Sequence, residues 1–446
     1  MRGGKDHLYG RFYLNRYNHA PSYDGKDLLT DTTGSKVQAQ NWTLGYTSVI
    51  TSNLVNNLVL DALRGDSDRT QQGGPGGNVP DWSTFGSSVP QLPAAQSGMR
   101  GFTVAGDMTV AQFTDGVFVR NTADLRDMLS WTKGKHNIEF GYDLELDQAN
   151  VRNSDFENGN FNFTNDVTGL SMASFLLGYQ HTFSQTSGNY SDSREHPMGI
   201  FAGDKWKLSN RLTLDLGVRY EPQQVMKEIR GRIQQFRPDA QAAGVHSSVI
   251  PSAPAGLFFI GDSYNGISVP DHGETGDFKN FGPRVGFAWD PTGTGKMSLR
   301  GGGGLFFYSR LPGLFLNDAS ISAPFSLRID LNDSTTSASQ IGPLSNPEQN
   351  YPTFASAFPQ RFTLAEAPKN ATFVANPTLY SLQPGIAWFT PQIYDWNMTF
   401  EYQLRPDTVA HVSYVGTRGT HLRQDVNLNP TAPGGTGAQS TRPYQP

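Results

Sequence analysis

Residues 196–222 read HPMGIFAGDKWKLSNRLTLDLGVRYEP, and their second half decides the fold class. Leu212, Leu214, Leu216, Val218 and Tyr220 alternate with Arg211, Thr213, Asp215, Gly217 and Arg219. A period of two puts the first set on one face of a β-strand and the second set on the other. About ten residues with one apolar and one polar face is also the length of a strand crossing a bilayer at a tilt. The first half ends in Trp206 and turns at Ser209 and Asn210, so an aromatic stands near the end of an apolar band. Membrane interfaces favour that placement. A soluble sandwich, its apolar face covered by a second sheet, accounts for this hairpin equally well.

A second hairpin separates the two. Ile138, Phe140, Tyr142, Leu144 and Leu146 alternate with Glu139, Gly141, Asp143, Glu145 and Asp147. Four acids on one face are costly in a dry core and cheap beside a wet lumen. Further hairpins are expected around Thr51 and Ser52, around residues 290–295, and around residues 405–407, with an opening strand near residues 8–17. Their short turns alternate with long loops at 65–100, 221–279 and 311–391. Short turns on one side and long loops on the other are the arrangement of an outer-membrane barrel. Trp131, Trp206 and Trp289 each stand at a short-turn end; with Tyr220 and Trp396 they are the candidate membrane-interface aromatics. Leu212, Leu214, Leu216 and Val218 are the candidate lipid-facing residues.

Composition agrees with an all-β chain. The 446 residues include Gly 48, Phe 28, Tyr 17 and Trp 7, with only 37% apolar residues. No apolar run is long enough for a membrane-spanning helix, and a polar average is compatible with a barrel whose lumen and loops are wet. With Cys 0 there is no disulfide or thiolate chemistry, and a net charge of −5 without a basic block gives no footing for nucleic acid. The opening MRGGKDH shows no signal peptide, and residues 431–446 have the composition of a Gly/Pro-rich loop or cut end. The expected organisation is one partial barrel domain over residues 1–430, carrying the three long loops outward.

The block FAGDKWKLSNRLTLDLGVRYEP resembles the signature hairpin of the large TonB-dependent receptors, in particular the Oar-like group. Asp204, Trp206, Lys207, Arg211, Leu212, Thr213, Leu214, Gly217, Arg219, Tyr220 and Glu221 match that pattern, and Gly203 departs from it. NFGPRVGFAWDP at 280–291 and QIYDWNMTFEYQL with VSYVGTRGTHL within 392–422 resemble further strands of the same group. The resemblance implies an antiparallel transmembrane β-barrel in the bacterial outer membrane. It further implies uptake of a ligand captured by extracellular loops and coupling to the TonB system through a plug domain. Neither a plug nor closing strands can be placed in these residues. The expectation is therefore an incomplete barrel, an open curved sheet of on the order of a dozen strands against the 22 of a complete transporter.

Catalytic chemistry finds no foothold. The nine His are dispersed without metal-ligand spacing, and no nucleophile elbow or Cys nucleophile stands out. Asp24, Asp27 and Asp31 lack the spacing of a calcium loop. Gly301 to Gly304 lack the order of a phosphate loop and are read as glycines giving room to bulky neighbours in a bending strand. No catalytic, cofactor or metal residue is assigned, and the chain is read as no enzyme. Its expected partners are outer-membrane lipid, the TonB system and an extracellular ligand of unspecified class. Two other readings stay open: a soluble all-β carbohydrate-binding or structural module, and an unplugged porin.

Overall fold

The computed structural model of the chain describes residues 4–70, 75–91, 101–110, 115–154, 156–272, 276–308, 322–332, 341–373, 389–422 and 427–430. The expected loop at 431–446 lies outside the described residues, as do parts of the loops at 65–100 and 311–391.

Eleven strands follow one another along a single antiparallel sheet. They are β1 (Asp6–His19), β2 (Gly34–Thr51), β3 (Leu54–Thr70), β4 (Gly116–Lys133), β5 (His136–Asn153) and β6 (Met198–Lys207). Then come β7 (Leu212–Tyr220), β8 (Phe281–Trp289), β9 (Met297–Phe307), β10 (Gln392–Arg405) and β11 (Thr408–Thr420). Each pairs with its chain neighbour, so the sheet is an up-and-down meander. β1 pairs with β2 and β11 with β10; among the described residues the two do not pair with each other, and the barrel stays open. The incomplete barrel expected from the sequence is what is observed.

Register shows that the period-two pattern is continuous from strand to strand, because residues directly opposite share a face. One face carries the rows Leu129–Phe140–Ala202–Val218–Pro283 and Trp131–Ile138–Asp204–Leu216–Val285. Towards β1 the same face continues through Leu125, Leu60, Leu44 and Gly10, and towards β11 through Met398 and Tyr414. The opposite face carries Asp61, Asp124, Asp143, Glu145, Asp215, Arg284, Arg300 and Glu401. Gly301 to Gly304 lie inside β9, where a Cβ on Gly301 would come within 2.9 Å of the Phe287 ring. They make room for side chains and hold no phosphate loop.

The described parts of the long loops fold together with residues 101–110 and 156–187, which join the strands on the same side. Segments from separate loops build a five-stranded sheet in the order 328–332, 182–186, 160–163, 102–104, 108–110. Helix α1 (Ser171–Leu177) packs Met172 and Phe175 against the same core. Helices α2 (Pro238–Ala242) and α3 (Pro352–Ala357) lie in the later loops. Phe161, Phe163, Phe183 and Phe354 are fully buried here, with Trp82 edge-on to Phe161 at 4.5 Å between ring centroids. A second cluster gathers Ile250, Leu257, Phe259 and Phe325. We call these folded loops the cap. They emerge from one end of the strands only, since the other end closes in short turns between β2 and β3, β4 and β5, β6 and β7, β8 and β9, and β10 and β11.

Candidate functional site

The expected site residues fall into three groups. Leu216 and Val218 are 41% and 44% exposed on the apolar face, and Leu212 and Leu214 are half-buried in the same row pattern. Trp131, Trp206 and Trp289 stand within the last three residues of their strands, before short turns. Tyr220 sits at the opposite end of its strand, stacked on Phe281 at 4.6 Å, its hydroxyl donating to the Phe278 carbonyl. Trp396 lies further in. It is in register with Gly303, which pairs with Val285, and its indole covers Gly416, where any Cβ would collide with the ring. The structure thus does not gather the five aromatics into one row.

The family-like residues in β6 and β7 turn out to be cross-strand fasteners. Asp204 faces His136 of β5 at 2.6 Å, and the His136 ring stacks on Trp206 at 5.2 Å. Arg219 donates to Asp143 of β5 at 2.7 Å and to Glu221 at 2.7 Å. Its guanidinium lies over Gly199, where a Cβ would have to displace it. The short turn after Trp289 is held by Asp290. Its carboxylate accepts from the backbone N–H of Gly295, Thr292 and Gly293 and from the Thr292 hydroxyl. The Gly295 contact, first, and its fellows hold that carboxyl below the usual range. Asp24 and Asp27 cap a local turn in the same way, accepting from nearby backbone N–H groups.

Where the strands enter the cap there is a buried ionic junction that sequence reasoning missed. Asp192, 4% exposed, receives the Arg152 guanidinium at 3.0 Å, with Arg230 and Arg232 also within 4 Å. Glu228, 1% exposed, accepts from Arg232 and from the backbone N–H of Asp192, Arg230 and Arg232. Arg361, from the last long loop, donates to Glu157, to the Tyr190 hydroxyl and to the Ser187 carbonyl. Buried charges of this kind stand only when paired and hydrogen-bonded, and here they are. The junction ties three loops to the upper part of β5. Nothing local marked these residues, because partners such as Glu157 and Arg361 are 204 positions apart.

Glu348 is the exception. It is 2% exposed, and neither carboxylate oxygen has a hydrogen-bond partner among the described residues. Burial pushes its carboxyl up to about 8. Among the described residues no group of three or more His, Cys, Asp and Glu side chains is placed to hold a metal. No described helix is long and apolar enough to cross a membrane, which says nothing of strands.

An all-next-neighbour antiparallel sheet, apolar and exposed on one face and polar on the other, defines the wall of a membrane β-barrel. The sequence model of the outer membrane beta barrel domain matches residues 2–446, and the chain belongs to that family, whose place is the bacterial outer membrane. Comparison with curated protein sequences gave no match. Among solved structures, the FrpB iron transporter of Neisseria meningitidis aligns at 10% identity and a TM-score of 0.41, over 94% of this chain and 42% of that one. The outer membrane transporter YddB of Escherichia coli aligns at 9% identity and 0.40, over 93% and 38%. The ferric-catecholate import receptor Fiu of Escherichia coli aligns at 10% and 0.39, over 93% and 49%. The chain therefore spans less than half the length of each of these transporters.

Proposed function

We propose that this chain is the wall and outer cap of a TonB-dependent transporter, importing a ligand that the cap captures outside the cell. The observation that supports it most is the division of labour between the two ends of one sheet. Short turns finish one end, and the other opens into a cap with its own apolar core and ionic junction. An importer needs a preformed outward surface above a polar passage, and a folded cap over a sheet with one polar face supports that reading. In this reading the Leu216 face meets lipid, the Asp143 face lines the lumen, and the short turns are periplasmic. The plug and its TonB contact follow from the family resemblance of the β6–β7 hairpin. The soluble-module reading is disfavoured by a continuous exposed apolar face, which would aggregate in water.

Sidedness is testable with single cysteines, since the chain has none of its own. Ser356→Cys, exposed in the cap, should label in intact cells with a membrane-impermeant maleimide, and Ser209→Cys only after the outer membrane is permeabilised. The opposite pattern would reverse the topology and defeat the import reading. TonB coupling is tested by epistasis: deleting this gene in a strain already lacking TonB should add no further growth defect. An additive defect would point to an unenergised pore.

A further inference from the structure

We infer that Lys133 and Lys135, with Trp131 and Trp206, form a binding site for the headgroup of an anionic phospholipid at the periplasmic rim. The inference rests on the lipid-facing orientation proposed above. In register, the row Lys133–His136–Trp206 lies directly beyond the row Trp131–Ile138–Asp204, which lies beyond the apolar row Leu129–Phe140–Ala202. Along β4, going towards the turn, the face thus changes from apolar Leu129 to aromatic Trp131 to cationic Lys133. A phospholipid shows the same order from acyl chain to glycerol to phosphate.

The cations are placed for this. The Lys133 ammonium sits 4.9 Å from the centre of the Trp131 ring, an arrangement that holds it at the interface and leaves its donors open outward. The Lys135 ammonium reaches the next hairpin and donates to the Leu208 carbonyl at 3.2 Å. Both lysines are exposed. The acid nearest in register on this face, Asp204, is engaged by His136, and the next, Asp127, accepts from Asn56. Asp204 is thus hydrogen-bonded within the wall, and Asp127 lies about 20 Å along the strand from Lys133. The other short turns differ. Residues 51–53 carry no charge, Asp290 stands with Lys296, and Arg405 stands with Asp407. The concentration of positive charge beside two tryptophans is peculiar to the β4–β5 turn and its neighbour.

The test reconstitutes the protein carrying Leu129→Cys or Phe400→Cys, each labelled with bimane, into phosphatidylcholine vesicles. Leu129 lies on the apolar face above the lysines, and Phe400 lies on the same face above the balanced Arg405–Asp407 turn. Either brominated phosphatidylglycerol or brominated phosphatidylcholine is then added as quencher. The Leu129 label should report a preference for phosphatidylglycerol of roughly fivefold per lysine in low salt, and the Phe400 label close to none. Lys133→Gln with Lys135→Gln should bring the Leu129 ratio down to the Phe400 ratio, and so should high salt. Equal ratios at the two positions, or a Leu129 ratio unmoved by the double substitution, would overturn the site. Absence of quenching at both positions by both lipids would overturn the lipid-facing orientation itself, and the site with it.

Discussion

The strand wall and the cap are made from one chain under opposite rules. Every buried apolar residue among the described residues lies outside the eleven strands of the wall. The cap buries Phe161, Phe163, Phe183 and Phe259 completely, while the wall leaves Phe140 52%, Val285 56% and Tyr414 63% exposed. In water the second pattern is a liability and the first is ordinary. The difference teaches that the two regions have different solvents. The cap excludes water by packing on itself, and in the proposed orientation the apolar face of the wall is completed by a medium that no described residue supplies.

Breaking the cap should have the largest effect. Phe183→Ala removes a fully buried ring that contacts Phe161 at 4.8 Å, and should cost the cap about 3–5 kcal/mol. Limited proteolysis of reconstituted protein should then cut the cap while the strands stay protected. A comparable loss, about 3–5 kcal/mol, is expected for Arg361→Ala, which removes a guanidinium paired with the buried Glu157 carboxylate. If proteolysis of the wall accelerated equally in either variant, the two regions would be one cooperative unit and the comparison would fail.

The wall has the next effect. Leu216→Arg on the apolar face should cost about 2–4 kcal/mol in a folding titration into bilayers, whereas Thr213→Arg on the polar face should cost much less. Equal penalties would mean that both faces share a solvent.

The smallest step is set by pH, taken one unit at a time, in the cap alone. Because the folded Glu348 carboxyl titrates at about 8, above its unfolded value, the folded state holds the proton more tightly. Stability is therefore lost as pH rises from the ordinary carboxylate range towards 8, at up to about 1.4 kcal/mol per pH unit. Thermal melts of the cap should show this slope, and Glu348→Gln should flatten it.

How much was legible follows the same division. The alternation in Ile138 to Leu146 and Leu212 to Tyr220 is a local pattern, and it located those strands and their faces. The end of β3 falls inside the loop expected at 65–100. Its extension through Gly65, Asp66, Ser67, Asp68 and Arg69 is polar on both faces and carries no alternation. Trp131, Trp206 and Trp289 were legible because their distance to a turn is counted along the chain. Trp396 was less so, since its level depends on register with Gly303 and Gly416. The five-stranded sheet of the cap was not legible because its strands have three to five residues, too few for periodicity. Their pairings, such as Thr186 with Arg328, join separate loops. The ionic junction was invisible for the same reason.

The claim that the apolar face of the wall meets lipid is tested most directly along β7. Nitroxide labels placed singly at Leu212, Thr213, Leu214, Asp215, Leu216 and Val218 in reconstituted protein report collisions with oxygen, which concentrates in lipid, and with a water-soluble nickel chelate. The account predicts oxygen access at Leu212, Leu214, Leu216 and Val218 and nickel access at Thr213 and Asp215, alternating residue by residue. Nickel access at all six positions, with no alternation, would contradict it.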